Sequence, residues 1–333
     1  MGVTIKDVAR RANVSPSTVS RVFTGSANVS PANREAVLKA AKELNFKPNH
    51  MARSLKLNQT KTFGLLIPDI SNPYYAQLAR NTEIAAREHG YSLLLADSNE
   101  DLGREKSYLQ GLIERMVDGV ILATVGGCER HVEKAKEQVP IVTVGRRIDL
   151  TGVDSVFVDN EKVGYLAAEH LIELGHRSFA VIAGNVNVSS TRLRLQGFMR
   201  RLNEEGLSLA EEWIQAGSFS LEAGERMAGG LFAGQKDVPT GLFCFNDQLA
   251  IGAIKALKRM GYRVPGDISV VGCDNTYIAT VFSPELSTIN RPIDEMGSWA
   301  VRLLVERTAE KRKRSKRIEL PPTLVVRSST RRI

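Results

Sequence analysis

The chain has few cysteines and no long apolar run. Its three cysteines, Cys128, Cys244 and Cys273, are odd in number and far apart, without the spacing of a metal site or a redox pair. They therefore predict reduced core residues. No apolar run approaches the ~20 residues that a membrane span needs, and the N-terminus lacks the apolar segment of a signal peptide. We expect a cytoplasmic protein with no metal site and no membrane partner.

The sequence also lacks the motifs of common catalytic sites. It contains no GxxxxGK phosphate-binding loop, no HExxH and no GxSxG. Its five histidines are scattered along the chain without a cluster. We therefore expect neither an enzyme nor a bound cofactor.

Two short helical patterns follow each other closely at the N-terminus. Thr4 is a cap-type residue before the first pattern, and Ser15-Pro16 places a cap and an initial proline before the second. Short polar side chains and one arginine occupy the free face of the second pattern: Ser17, Thr18 and Arg21. Two such helices joined by a tight turn predict a helix-turn-helix.

The charge distribution supports this interpretation. Residues 1–61 contain 11 Lys and Arg against 3 Asp and Glu, a net charge of +8 that equals that of the whole chain. Residues 62–333 are therefore balanced. A basic excess confined to one small unit indicates a polyanionic partner, which for a helix-turn-helix is DNA.

A third helix and a short polar segment complete the N-terminal region. Ser30-Pro31 repeats the cap-then-proline start, and the third helix is expected to end near Asn45. Residues 49–57 have helical propensity, but an isolated helix of two turns is marginal in water. The segment is either a polar linker or a hinge helix that orders only when something holds it.

From Phe63 onward, short apolar strands alternate with helical patterns in two successive sets of similar size. Continuous apolar strands between helices predict parallel sheets that are covered on both faces. Two sets suggest two subdomains of similar construction. Ligands of such sheets bind beyond the carboxyl ends of the strands, so we expect a binding site in the cleft between the subdomains.

Polar and aromatic side chains follow the predicted strands. Carboxylate and guanidinium groups can pair with vicinal hydroxyls, while an aromatic ring covers an apolar face. The candidates found in this way are Tyr74, Tyr75, Arg192, Arg194, Phe219, Asn246, Asp247 and Asp274.

These motifs carry a family resemblance. The chain resembles the LacI/GalR family of bacterial transcriptional regulators over essentially its full length. The stretches that carry the resemblance are residues 4–9, 14–22, 44–49, 52–55, 67–75, 245–247 and 269–274.

The resemblance implies an α/β core of two Rossmann-like parallel-sheet subdomains, like that of periplasmic binding proteins, behind an N-terminal all-α helix-turn-helix domain. The chain would cross between the subdomains three times, and its last strands would belong to the second. The expected boundaries are 1–47 for the helix-turn-helix, 48–61 for the hinge helix and linker, 62–160 plus 291–318 for the N-subdomain, and 161–290 plus 319–333 for the C-subdomain.

The resemblance also implies a homodimer on a pseudo-palindromic double-stranded operator, with Ser17, Thr18 and Arg21 in the major groove. The expected DNA-binding residues are Thr4, Ser15, Ser17, Thr18, Arg21, Asn28, Ser30, Asn49, Ala52 and Leu55, the last three in the minor groove. The expected effector-binding residues are Tyr74, Tyr75, Arg146, Arg192, Arg194, Phe219, Asn246 and Asp274.

Some positions depart from the family pattern. Pro16 stands where some relatives carry a longer base-reading side chain. Gly145 replaces an acid of many sugar-responsive members and is followed by Arg146 and Arg147, which admits an anionic ligand as well as a sugar. Residues 52–66 are close to the purine repressor, but residues 188–190 lack an arginine of that branch. The chain has no C-terminal heptad helix, which favours a dimer over a tetramer.

The leading hypothesis is a repressor controlled by a sugar or sugar derivative. The core alone is compatible with a solute-binding protein for transport, but a protein of that class does not need a basic N-terminal unit. An enzyme that used the cleft would need a general base paired with a nucleophile, and the sequence shows no such pair. Induction, co-repression and control by a partner protein stay open. The basic run 311–317 predicts a surface loop, with a second DNA contact as the alternative.

Overall fold

The computed structural model describes residues 3–23, 28–46, 59–124, 126–310 and 314–333. The chain divides into two compact units, Met1–Thr60 and Lys61–Ile333. None of the helices within the described ranges is long and apolar enough to cross a membrane.

The N-terminal unit consists of helices around a small apolar core. They are α1 (Ile5–Arg11), α2 (Pro16–Phe23) and α3 (Pro31–Glu43). The turn between α1 and α2 is tight because Asn13 adopts a left-handed backbone with φ 54°, a conformation that asparagine tolerates better than most residues. The buried core residues are Val8, Ala9, Val19, Val22, Val37, Ala40 and Ala41. Apolar residues at helical spacing in the sequence therefore do form the core of this unit.

The second unit contains two six-stranded sheets. The strands are β1 (Thr62–Ile67), β2 (Ser92–Asp97), β3 (Gly119–Leu122), β4 (Ile141–Val144), β5 (Asp154–Val158), β6 (Phe179–Ala183), β7 (Ile214–Ala216), β8 (Gly241–Cys244), β9 (Ser269–Asp274), β10 (Ser287–Asn290), β11 (Arg317–Leu320) and β12 (Thr323–Val325). The first sheet has the order β11-β5-β4-β3-β1-β2 and the second β12-β10-β9-β8-β6-β7. All pairings are parallel except that of β10 with β12.

Helices cover the faces of both sheets. They are α4 (Pro73–Glu88), α5 (Leu102–Glu114), α6 (Glu129–Ala135), α7 (Asn160–Glu173), α8 (Ser189–Glu204), α9 (Leu221–Phe232), α10 (Asp247–Arg259), α11 (Ile278–Val281) and α12 (Ile293–Glu310). Helices α4 and α12 pack together, and α12 also contacts β3, β4 and β5. Helices α7 and α8 approach closely because Gly164 and Gly197 each face the backbone of the other helix.

The chain passes between the two sheets at three places: after β5, after β10 and after β11. One expectation about the end of the chain is wrong. Strand β11 pairs with β5 in the first sheet, so Glu319 and Leu320 belong there and the last strands do not both lie in the second sheet. Asp154 fixes the position of the residue before β11, because its carboxylate accepts the backbone N–H of Lys316 at 2.6 Å. The same carboxylate forms a buried salt bridge with Arg307 at 2.7 Å.

The alternation of strands and helices agrees with the sequence pattern, whereas several short elements were not indicated by it. Strands β7 and β10 are only three and four residues long. Helix α9 contains three glycines, which weaken a helical pattern. Of the basic run 311–317, residues 311–313 lie outside the described residues, and Arg317 opens β11.

Candidate functional site

A cleft lies where the carboxyl ends of the two sheets face each other. The first sheet's side contributes Tyr74 and Tyr75 at the start of α4, and Arg146 after β4. The second contributes Arg194 from α8 and Asp274 from the end of β9. The remaining lining residues are Asn72, Glu100, Ala123, Thr124, Val144, Gly145, Val188, Ser190, Phe219, Asn246 and Arg291. The structure therefore brings together seven of the eight predicted effector residues.

Arg192 is the exception, because it does not line the cleft. Its side chain is exposed and donates to the carbonyl oxygens of Val186 and Asn187, at 3.1 Å each. Arg192 and Arg194 are two residues apart in a helix and therefore point in different directions. Only Arg194 turns toward the cleft.

A buried ion pair lies in the cleft. Nη1 of Arg291 lies 3.0 Å from Oδ1 of Asp274, and both side chains are less than 10% exposed. The guanidinium also lies over the ring of Tyr74, 4.2 Å from its centroid. Asp274 has a backbone φ of 113°, which is strained for a residue other than glycine. Such strain at the end of a strand is frequent at binding sites.

Arg194 is held by neutral acceptors. Its Nε donates to Oδ1 of Asn160 at 3.0 Å, and its Nη1 donates to the carbonyl oxygen of Phe245. A Cβ at Gly164 would overlap the carbonyl of Arg194, so the close approach of α7 and α8 also fixes the backbone of this residue. Arg194 is thereby oriented before any ligand arrives.

Asn246 links the N-terminus of α10 to the aromatic wall. Its Oδ1 accepts the backbone N–H of Leu249 at 2.8 Å, and its Nδ2 donates to the carbonyl oxygen of Phe219 at 3.0 Å. The ring of Phe219 packs directly against Gly184, where a Cβ would overlap it. The cap residue of a helix therefore also positions an aromatic ring of the cleft.

Asp247 lies directly after Asn246 and is fully enclosed. It accepts hydrogen bonds from the backbone N–H and hydroxyl of Thr276 and from the hydroxyl of Thr288, at 2.6 to 2.8 Å. Burial, followed by the nearby Asp274, raises the pKa of Asp247 to about 7. This carboxyl ties the segment after β9 to β10, and so supports the backbone around Asp274.

The first sheet's side of the cleft is aromatic and basic. Tyr74 and Tyr75 pack edge to face with centroids 5.0 Å apart, and burial raises the pKa of both hydroxyls. Burial lowers the pKa of Arg146. Burial, with Asp69 nearby, raises the pKa of Glu100.

Two cleft residues, Arg291 and Glu100, are not indicated by the sequence pattern. Arg291 follows β10, a four-residue strand that the apolar pattern did not indicate. Glu100 lies in the loop after β2 with a left-handed backbone at φ 57°, and an acid in a loop is no signal by itself. The parallel pairing of β10 with β9, which places Asn290 opposite Asp274, is the information that locates Arg291.

Three of the predicted DNA-binding side chains take part in capping the helices of the N-terminal unit: Thr4, Ser15 and Ser30. The Asp7 carboxylate accepts from the backbone N–H and hydroxyl of Thr4. Ser15 accepts the backbone N–H of Thr18 at 3.2 Å, and Ser30 that of Asn33 at 3.3 Å. The exposed members of the set are Thr4, Ser15, Ser17, Arg21, Asn28 and Ser30, and Thr18 is half-buried. Asn49, Ala52 and Leu55 lie outside the described residues.

Metal binding finds no support in the described ranges, where no group of three or more His, Cys, Asp or Glu side chains could hold an ion. The three cysteines are buried and unbridged. Burial raises the pKa of the Cys128 thiol to about 11, so it is not a reactive thiolate.

Comparison with known proteins identifies the family to which the chain belongs. A model for bacterial regulatory proteins of the lacI family matches residues 4–49, and one for a periplasmic binding protein-like domain matches residues 168–330. The HTH-type transcriptional repressor PurR of Erwinia tasmaniensis is 39% identical over 98% of this chain and 96% of its own.

Two solved structures are similar over almost the whole chain. The lac repressor dimer bound to operator and the anti-inducer ONPF is 29% identical with a TM-score of 0.87, over 99% of this chain and 100% of that one. The complex of the transcriptional regulator CelR with cellobiose is 33% identical with a TM-score of 0.73, over 98% and 99%. The chain belongs to the LacI family of DNA-binding transcriptional regulators, not to an enzyme family, and combines its helix-turn-helix with a periplasmic-binding-protein-like core.

Proposed function

We propose that this chain is a homodimeric repressor whose affinity for a pseudo-palindromic operator is controlled by a sugar or sugar derivative bound in the cleft. The proposal of a sugar effector rests on the polar side chains of the cleft, Asp274, Arg291 and Arg194. They lie beside the rings of Tyr74 and Phe219. Oriented acceptors and donors next to aromatic faces suit a polyhydroxylated ring. The similarity to a regulator solved with cellobiose supports the same class.

The DNA-binding part of the proposal uses the exposed face of α2. Ser17 and Arg21 are exposed there, and Thr18 is half-buried, so these side chains can enter a major groove. Thr4, Ser15, Asn28 and Ser30 would contact phosphates near helix N-termini. For Asn49, Ala52 and Leu55, the minor-groove assignment rests on the family resemblance alone.

The proposed domain organisation assigns residues 1–47 to DNA binding and 48–61 to the hinge and linker. The N-subdomain would comprise 62–160 plus 291–320 and the C-subdomain 161–290 plus 321–333. The change at residue 320 follows from the pairing of β11 with β5. The cleft between the subdomains then contains all the predicted effector residues except Arg192.

Exposed apolar side chains support the homodimer. Strand β2 is an edge strand of the first sheet, and its Leu94 and Leu95 are exposed. Tyr108 in α5 is exposed as well, and in the second subdomain so are Tyr277 and Val281, the latter to 74%. Apolar surface of this kind is typical of protein interfaces. The similarity to the lac repressor dimer points to the same assembly.

A selection of binding sites from random duplexes tests the proposal. A symmetric dimer with one recognition helix per protomer selects two inverted half-sites at a fixed spacing. We expect such a pseudo-palindrome, together with elution of the DNA-free protein as a dimer. A selected site with a single half-site, or no enrichment above random sequence, would contradict it.

A further inference from the structure

We infer that the effector carries an anionic group, a carboxylate or a phosphate, in addition to its hydroxyls, and that Arg146 binds this group. The inference rests on the proposed function, since it assigns the chemistry of a ligand for the same cleft. It concerns the first sheet's side of the cleft, opposite the ion pair of Asp274 and Arg291.

Arg146 is a cation with no hydrogen-bonded or ion-paired partner among the described residues, although the carboxyl group of Glu100 lies near enough to interact with it electrostatically. It follows β4, is half-buried and lines the cleft. Across the ranges that the structure describes, its guanidinium makes no hydrogen bond and no ion pair. Gly126 lies against it, such that a Cβ at residue 126 would come within 2.7 Å of Nη1. The arginine is therefore confined near the cleft, although no protein acceptor holds it there.

The other two arginines of the cleft differ from Arg146 in this respect. Arg291 is paired with Asp274, and Arg194 donates to Asn160 and to the carbonyl of Phe245. Arg291 nonetheless keeps a buried Nε without an acceptor. Two guanidinium groups of the cleft, those of Arg146 and Arg291, therefore keep donors without an acceptor among the described residues.

The charges of the cleft point the same way. Three guanidinium groups line it against two carboxyl groups, those of Asp274 and Glu100. Asp274 is engaged by Arg291, whereas Glu100 forms no salt bridge within the described residues; burial raises the pKa of Glu100, and the nearby Arg146 lowers it. The cleft therefore carries a net positive charge that a neutral sugar would leave uncompensated.

A half-buried cation without a hydrogen-bonded partner is costly, and an ionised acceptor relieves that cost better than a neutral hydroxyl does. Arg146 follows a strand of the first sheet, and Asp274 ends a strand of the second. A ligand that spans the cleft would place its hydroxyls on Asp274 and its anionic group on Arg146. Sugar acids and sugar phosphates both have this shape and charge.

The test uses matched ligands and the full-length protein. Thermal shift and calorimetric titration compare glucose, glucuronate and glucose 6-phosphate, and the corresponding trios of galactose and mannose. We expect an acidic member to bind and its neutral partner to bind roughly 10- to 100-fold more weakly, the range for hydrogen bonds to a charged group. Arg146→Gln should abolish that difference. Arg147→Gln is the control, because Arg147 is the neighbouring residue and is exposed.

The pH dependence distinguishes the two sources of negative charge. A phosphate monoester gains its second charge near pH 6, so its affinity should rise through that pH, whereas a carboxylate ligand should show no such rise. Inorganic phosphate alone should raise the melting temperature of the wild type and of Arg147→Gln more than that of Arg146→Gln.

Three results would overturn the inference. The first is a neutral sugar that binds the wild type and Arg146→Gln equally well. If that neutral sugar does not bind Asp274→Asn, the proposed function stands, and only the anionic group of the effector is ruled out. The second is an acidic ligand whose affinity does not depend on Arg146. The third is a combined result: no ligand of the panel binds the wild type, and inorganic phosphate raises the melting temperature equally in the wild type, Arg146→Gln and Arg147→Gln.

Discussion

Arg291 and Asp274 are 17 positions apart in the sequence and form a buried ion pair with Nη1 and Oδ1 3.0 Å apart. Asp274 ends a strand of the second sheet, while Arg291 lies in the segment that returns from that sheet to the first. The same guanidinium lies over the ring of Tyr74, which starts a helix of the first subdomain. One side chain therefore contacts both walls of the cleft, and a ligand that binds Asp274 acts on a residue that joins the two subdomains.

Replacing Arg291 by Met should destabilise the core by about 3–5 kcal/mol, because the buried carboxylate of Asp274 is left without its partner. Chemical denaturation of the wild type and the variant measures the difference. The double variant Arg291→Met with Asp274→Asn should recover much of the stability but still fail to bind the effector. An unchanged midpoint in the single variant would show that the pair contributes nothing.

Replacing Gly184 by Ala should disturb Phe219, because the new Cβ overlaps its ring. Overpacking of this kind costs about 1–3 kcal/mol, and the displaced ring should also weaken effector binding. Gly230→Ala is the matched control, since the space around a Cβ there is open. Ligand titration that finds equal affinities for the two variants would rule out a role for the ring.

Replacing Arg21 by Ala should reduce affinity for the selected operator more than for random DNA. Arg21 is exposed near the end of α2, and an arginine paired with a guanine contributes about 1–3 kcal/mol of discrimination. Binding isotherms at several salt concentrations on both DNAs measure this. An equal loss on both, with a smaller salt slope, would identify Arg21 as a phosphate contact instead.

Acidification should destabilise the second unit through His176. Burial lowers the pKa of this imidazole to about 4, and its Nδ1 pairs with the hydroxyl of Thr240 at 2.8 Å. Between pH 6.5 and 4 the unfolded chain binds a proton that the folded protein does not, so the free energy of unfolding falls as pH falls. Above pH 6.5 both states are neutral and this contribution is absent.

The melting temperature measured from pH 7 to pH 4.5 tests this contribution. The fall should be smaller in His176→Gln than in the wild type. The control His89→Gln, at an exposed position, should follow the wild type. If the melting temperature falls equally with pH in His176→Gln and in the wild type, His176 does not cause the acid destabilisation.

The sequence predicts the architecture well because each local signal agrees with the fold. The caps at Ser15 and Ser30 mark helix starts that the structure has, and apolar runs mark the central strands. It predicts the cleft less completely. Arg192 and Arg194 are indistinguishable by composition, and only the direction of α8 separates them. Arg291 reaches the cleft because β10 pairs beside β9, which is a long-range contact that no local pattern encodes.

The most direct test of the central claim is the operator dissociation constant measured with and without a cleft ligand from the acidic panel, in the wild type and in Asp274→Asn. Coupling between two sites is a free energy that requires binding at both. We expect saturating ligand to change the operator dissociation constant of the wild type severalfold or more. Asp274→Asn should bind the operator normally but should not respond to the ligand. An operator affinity in the wild type that is independent of bound ligand, or a full response in Asp274→Asn, would contradict it.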